Sequence, residues 1–337
     1  MLNELFDETF VVEDFERAPY FKNESEEGRY VNLPYHRLTL KLIEEKNIQL
    51  VYVSGAKILI DKFRLLAKIR KKIPIVIEIP DLPLRRNNIL SNILVKFIFR
   101  KVVKYLSSGI VVTSEAFLHS LNYKSKALVF YNYPNKTVAQ SLLDVAATER
   151  EVSSPVIVFY GAIRYLQQIE LLLMYAKRNP SVRVKIFGGP IQQLENISEI
   201  ESYRHLSNID INGPYNYEQD IINIMNDASV VYSVYDSKQV NVRLALPNKL
   251  YESVLSGKPL IVSDNTYLSN IVEKNRLGIS VPSQVSNYDE FERKVSLLLG
   301  KISPIESKIR HDWFQESEQQ KDNFIEFLKY YEKEHHA

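Results

Sequence analysis

The chain has 337 residues, 45% of them apolar, with a net charge of +2 and no cysteine. That length predicts two domains, and the apolar share fills two ordinary cores, which excludes global disorder. The lack of cysteine removes disulfides, thiolate metal sites and cysteine nucleophiles together and fits a reducing compartment.

The first residues, Met-Leu-Asn-Glu-Leu-Phe-Asp-Glu, are acidic and unlike a signal peptide, and no uninterrupted apolar run is long enough to span a bilayer. The expected setting is therefore cytoplasmic, with contact to the inner face of a membrane left open. Residues 1–40 offer one good strand, Thr9–Val12, and from Met1 to Thr39 nine acids face four basic residues. Strand-like runs then appear at Ile48–Val53, Ile73–Ile79, Ile110–Val112 and Ala127–Phe130. Helical stretches near Leu59–Arg70 and Ile93–Leu106 lie between them, which predicts parallel β-α-β units. From Lys57 to Lys104 thirteen Lys/Arg stand against three acids, Asp61, Glu78 and Asp81. Such a stretch suits a phosphate-bearing substrate, a membrane surface or nucleic acid, or it is a set of solvated helix faces.

A polar region, Tyr133–Pro155, follows, its centre Thr137–Glu151 reading as a short helix and a linker. A second alternation places strands at Val156–Tyr160, Val182–Phe187, Ile209–Asn212, Ser229–Tyr235, Pro259–Val262 and Gly278–Val281. Helices are expected near Ile169–Arg178, Tyr217–Asn226, Leu246–Leu255 and Leu268–Lys274, and a charged helix over Ile309–His335. This is a doubly wound α/β pattern, whose ligands sit beyond the carboxyl ends of the strands.

Four segments fall at such ends. Gly161, in Phe-Tyr-Gly-Ala-Ile-Arg, would let backbone approach a ligand and Arg164 could reach a phosphate; a tight turn is the plainer reading. Ile-Phe-Gly-Gly-Pro, with Gly189, either admits a nucleotide or turns the chain. Asn-Gly-Pro-Tyr offers Tyr215 to a base, or is a turn. The strongest is Leu246-Pro-Asn-Lys-Leu-Tyr-Glu, continuing to Ser256-Gly-Lys-Pro. A helix with Pro247 at its first position would aim amides and Lys249 at an anion, with Glu252 one turn on. A carboxylate there can accept from ribose hydroxyls, or it simply balances the helix dipole. The six histidines form no metal-ligand spacing, and no P-loop or nucleophile-elbow motif is present.

The Pro247-to-Pro259 segment resembles the donor-site signature of GT-B glycosyltransferases, in particular the family-4-like enzymes of bacterial capsular, exopolysaccharide or lipopolysaccharide assembly. Ser263-Asp-Asn-Thr, Ile271-Val-Glu with Leu277-Gly278, Glu78-Ile-Pro-Asp81, Val112-Thr-Ser-Glu115 and Tyr131-Asn-Tyr-Pro134 match the family's other segments in order. The resemblance covers most of residues 40–300. It implies two Rossmann-like doubly wound domains facing a cleft. The acceptor-side domain would be residues 1–135, with a C-terminal helix about 309–335 packing back on it, and the nucleotide-sugar domain residues 136–308. It implies that Glu252 binds the donor ribose. Lys249, Arg164 and the amides of Leu246, Pro247 and Asn248 would hold the diphosphate, while Gly161, Gly189 and Tyr215 line the pocket. No metal or cofactor is then required, and transfer retains configuration. The expected partners are a nucleotide-sugar donor and a glycan or polyprenyl-linked acceptor, with peripheral membrane contact through the basic N-terminal half and no nucleic acid.

The sequence departs from the family pattern in four places. Leu244 stands eight positions before Glu252, where a first glutamate is usual, and Gln167-Gln168-Ile169 replaces an expected lysine. Pro80 stands where many relatives have histidine, which leaves Asp81 as the candidate acceptor-side base. The N-terminal half is also one or two β-α units short. The alternative to an enzyme is therefore a non-catalytic homologue that stabilises a partner transferase subunit.

Overall fold

The structure, a computed structural model, describes residues 9–13, 30–34, 38–84, 89–145 and 154–333. The chain divides into two compact units, Met1–Tyr131 with Gln319–Ala337, and Asn132–Glu318.

The first unit runs β1 (Thr9–Glu13), β2 (Tyr30–Pro34), α1 (Leu40–Glu45), β3 (Val51–Ser54), α2 (Ala56–Asp61), α3 (Phe63–Ile69), β4 (Ile75–Ile79), α4 (Ile89–Leu106), β5 (Gly109–Val112), α5 (Glu115–Leu121) and β6 (Ala127–Val129). β1 and β2 pair in parallel, and a separate parallel sheet has the order β3-β4-β5-β6. Because that order follows the chain, right-handed crossovers all step the same way and stack their helices on one face. The other face is closed by the end of the last helix, α14 (Ser307–Lys333): Phe324, Phe327, Leu328 and Tyr331 pack with Val76 of β4 and Val111 of β5. Tyr331 also donates to the Ser108 carbonyl at 3.1 Å.

The second unit contains α6 (Lys136–Asp144), β7 (Val156–Tyr160), α7 (Leu166–Arg178), β8 (Arg183–Phe187), α8 (Ile200–Arg204), β9 (Ile209–Gly213), α9 (Tyr217–Asp227), β10 (Val230–Ser233) and α10 (Val240–Leu244). It continues with α11 (Asn248–Ser256), β11 (Leu260–Ser263), α12 (Tyr267–Lys274), β12 (Gly278–Val281), α13 (Tyr288–Leu299) and the start of α14. Its six strands are all parallel, in the order β12-β11-β10-β7-β8-β9. Period-two alternation divides β7 between two cores. Ile157 and Phe159 join the core that includes Leu172, Tyr232 and Phe291; Val158 and Tyr160 join Leu142, Ile221, Met225 and Leu255 on the opposite face. A strand buried on both sides reads as an unbroken apolar run, which is why Val-Ile-Val-Phe-Tyr was legible.

Several expectations need correction. Residues 1–40 hold a second strand, β2, whose Tyr-Val-Asn-Leu-Pro ends on a residue with no amide hydrogen. The helix expected over Leu59–Arg70 is two helices, broken where Lys62 leaves helical dihedrals. Of the stretch Thr137–Glu151, residues 146–151 lie outside the described residues. The two units divide after Tyr131 and after Glu318. Buried Arg310 ties the start of α14 to the second unit: its guanidinium donates to the carbonyls of Leu255, Leu142, Leu143 and Val145.

Candidate functional site

In the second unit the strand order reverses between β7 and β10, since later strands add on opposite sides of that pair. At such a reversal the connections leave toward opposite faces and a crevice opens beyond the carboxyl ends. The loop after β7 carries Gly161 and Arg164, and the one after β10 carries Tyr235 and Asp236.

Lys249 reaches this place from the first turn of α11. It is 6% exposed. Its ammonium donates to the Tyr235 hydroxyl at 2.6 Å and lies 4.5, 5.2 and 5.0 Å from the ring centroids of Phe159, Tyr160 and Tyr235. Ring faces attract a cation but do not neutralise it. Among the described residues Lys249 has no ion pair within 4.0 Å, although the charge of Glu252 acts on it, an uncommon state for a lysine this buried. Gly161 adjoins it: a Cβ built there would stand 3.6 Å from Nζ.

Glu252, one turn further along α11, is 1% exposed. It accepts from the Tyr160 hydroxyl at 2.6 Å and the Tyr217 hydroxyl at 2.6 Å. Burial pushes its carboxyl above the ordinary carboxylate range; the two tyrosine hydrogen bonds and the charge of Lys249 oppose that rise. Burial and the carboxylate in turn push the Tyr160 and Tyr217 hydroxyls well up. Tyr215 is pushed up to about 12 by burial and by Glu252, and its ring meets that of Tyr160 edge-on at 6.4 Å.

The loops beyond β7, β8 and β9 are joined through their backbones. The Gly161 amide donates to the Phe187 carbonyl at 2.9 Å, that of Gly188 to the Gly213 carbonyl at 2.6 Å and that of Ile163 to the Gly189 carbonyl at 3.2 Å. Gly188 has φ +146, and a Cβ there would collide with the Gly161 carbonyl oxygen, so only glycine lets the two loops meet.

The structure thus gathers Gly161, Tyr215, Lys249 and Glu252 into one cluster and joins Gly189 to the same loops. Arg164 is exposed on the loop beyond Gly161. The start of α11 differs from expectation: Pro247 is the N-cap, not the first helical residue, and no side chain caps the helix. Proline has no amide hydrogen, so the free donors there come from Asn248 and Lys249, since the Leu250 amide turns back to the Pro247 carbonyl. Leu246 is buried, and its carbonyl accepts from the Asn132 side chain at 3.2 Å. Asp81 belongs to the first unit, exposed in the loop after β4. Sequence reasoning missed Tyr160, Tyr217 and Tyr235, and also Tyr165, whose ring stands 5.4 Å from that of Tyr235. Position was the available signal, because each follows or ends a strand or opens a helix at the same sheet edge. Among the described residues no three His, Asp or Glu side chains gather to hold a metal ion.

A parallel sheet with a buried lysine and an uncapped helix N-terminus at its strand-order reversal defines an α/β unit of the nucleotide-binding class. The family model described as glycosyl transferases group 1 matches residues 144–320, more than half of the chain, and the chain belongs to that family. Nucleotide-sugar glycosyl transfer is its general activity, and its two parallel α/β units make the fold GT-B. Sucrose-phosphate synthase from Thermosynechococcus elongatus superposes with a TM-score of 0.66 at 13% identity, over 95% of this chain and 88% of that one. HepE from Anabaena, solved with UDP and glucose, gives 0.66 at 13% identity over 89% and 86%. The GtfA/B complex gives 0.59 at 13% identity over 87% of this chain and 59% of that one. Among curated proteins none matches the chain in sequence.

Proposed function

We propose that the chain moves a sugar from a nucleotide-diphosphate sugar to a glycan or lipid-linked acceptor in bacterial surface polysaccharide assembly, at the cytoplasmic face of the membrane, with retention and without a metal. The observation that carries this reading is the caged Lys249, without an ion pair among the described residues, beside an uncapped helix N-terminus at the β7–β10 reversal. A diphosphate would place negative charge directly against it. Lys249, exposed Arg164 and the Asn248 and Lys249 amides would also stabilise that charge as it grows on the leaving group. Glu252, ionised for the purpose, would exchange a tyrosine donor for ribose hydroxyls, and Gly161, Gly189 and Tyr215 would line the nucleotide. In a retaining transfer the acceptor oxygen bonds to the anomeric carbon on the face that the phosphate oxygen leaves, and the acceptor proton passes to that oxygen. A strong protein base is then unnecessary, and Asp81 would serve acceptor binding. UDP is the first nucleotide to try, since HepE, alike in fold, was solved with it.

A second reading, a non-catalytic subunit that stabilises a partner transferase, is favoured by Leu244 at the place of the family's first glutamate. The test is a thermal-shift panel of UDP, GDP, CMP, ADP and dTDP on the purified chain, followed by transfer assays with sugars of the responding nucleotide. A rise of several degrees with one nucleotide supports the donor site, because a ligand bound only by the folded state stabilises it by mass action. No rise with any of them favours the partner reading.

A further inference from the structure

The first unit carries a surface that donor chemistry does not use. On α4, Ile93, Leu94, Phe97 and Ile98 are 63%, 60%, 56% and 51% exposed, while Phe99, Val103 and Leu106 of the same helix are buried. Helical spacing puts the four exposed residues in one stripe, opposite the face packed inward. The stripe continues through Lys101, whose ammonium lies 5.5 Å from the Phe97 ring centroid, to half-exposed Tyr105. Tyr105 in turn meets Phe63 of α3 at 6.0 Å between ring centroids, and the Arg70 guanidinium lies 5.3 Å from the Tyr105 ring. Exposed Ile60 of α2 stands just before Phe63 in the chain. Scattered exposed apolar residues are ordinary, but a contiguous band spanning two elements is not.

Basic side chains outnumber acids around this stripe. α4 carries exposed Lys101 and Lys104, half-buried Lys96 and Arg100, the last donating to the Ser120 carbonyl at 3.0 Å, and no acid. α2 and α3 add Lys57, Arg64 and Lys68, and their one acid, Asp61, is paired with Lys57 at 2.9 Å. No helix of the described residues is long and apolar enough to cross a membrane. An apolar band flanked by cations matches an anionic bilayer surface in both respects: acyl chains receive the isoleucines and rings, and headgroups meet the lysines and arginines. A protein partner would have to supply an apolar groove with an acidic margin.

We infer that the α4 stripe, with Phe63 and Ile60 beside it, is a docking surface for an anionic lipid bilayer. The inference does not rest on the donor site, and its test needs no nucleotide. The full chain is floated with phosphatidylcholine vesicles, with and without phosphatidylglycerol, at low and high salt. The wild type should float only with phosphatidylglycerol present, and less as salt rises. Leu94→Glu with Phe97→Glu, and separately Lys101→Glu with Lys104→Glu, should each lower the floated fraction roughly tenfold or more. Both variants should keep the wild-type melting temperature. A wild type that does not float, or variants that float as it does, would overturn the inference. A wild-type oligomer formed without vesicles and lost in Leu94→Glu with Phe97→Glu would also overturn it, making the face a protein interface.

Discussion

Helices α11 and α4 break the same rule in opposite directions. α11 hides Lys249 and Glu252 inside the second unit, where charge is costly; α4 turns Ile93, Leu94, Phe97 and Ile98 outward, where apolar surface is costly. Neither arrangement is what packing alone selects, and in both a molecule outside the chain would complete the environment. The difference lies in what surrounds the exception. Around α11 the groups are fixed by short hydrogen bonds, from Tyr160 and Tyr217 to Glu252 and from Lys249 to Tyr235, as a site needs when it must place a small ligand. Around α4 the contacts are looser, such as the Lys101 ammonium at 5.5 Å from the Phe97 ring centroid, and a fluid surface requires no more.

The largest expected effect sharpens the α11 side. Lys249→Met keeps the apolar stem and removes the charge. Nucleotide affinity or turnover should fall roughly a hundredfold, as for loss of one oriented charge-stabilising donor. Stability should hold or rise, because a desolvated cation has gone. Next, Glu252→Gln should lower donor affinity about tenfold in titration calorimetry. It should also change the pH dependence of stability. The folded-state pKa of Glu252 is raised above the ordinary 4.5, so the folded chain holds that proton more tightly than the unfolded one. Its contribution to stability is therefore present below the unfolded value and lost as pH rises through the folded one. Melting curves from about pH 5 to about pH 8 should thus show the variant gaining on the wild type as pH rises. A smaller effect, about threefold on donor affinity, is expected for Tyr217→Phe, which takes one hydrogen-bond donor from the carboxylate. The smallest concerns α4: Leu94→Glu with Phe97→Glu should move the melting temperature by no more than about 2 °C, since surface changes away from packed features cost little. A fall of many degrees there would mean that the stripe is packed in solution, and the comparison would fail.

Much of the second unit was legible because its strands are buried on both faces and punctuated by glycine and proline. Pro247, Gly257 and Pro259 bracket α11 and β11, and Gly257 does cap α11 in the left-handed conformation, at φ 74. Lys249 and Glu252 were legible as a charged pair one turn apart on that helix. Their tyrosine partners were not, because Tyr160, Tyr217 and Tyr235 lie 92, 35 and 14 residues from the side chains they bond and a tyrosine at a strand end looks like core. In the first unit, β2 was hidden by its brevity and its terminal proline, and the break at Lys62 by apolar periodicity that runs through it. For α4 the sequence showed a basic, amphipathic stretch suited either to a membrane surface or to packing on the sheet. It is apolar on more than one face, and only the fold decides which face the sheet covers.

The most direct measurement pairs the melting temperature of the ligand-free chain with its UDP dissociation constant, for the wild type and Lys249→Met. The variant should have an equal or higher melting temperature and a dissociation constant raised roughly a hundredfold. A variant that melts several degrees lower and binds UDP as tightly as the wild type would contradict this, and would make Lys249 a residue of the fold rather than of the site.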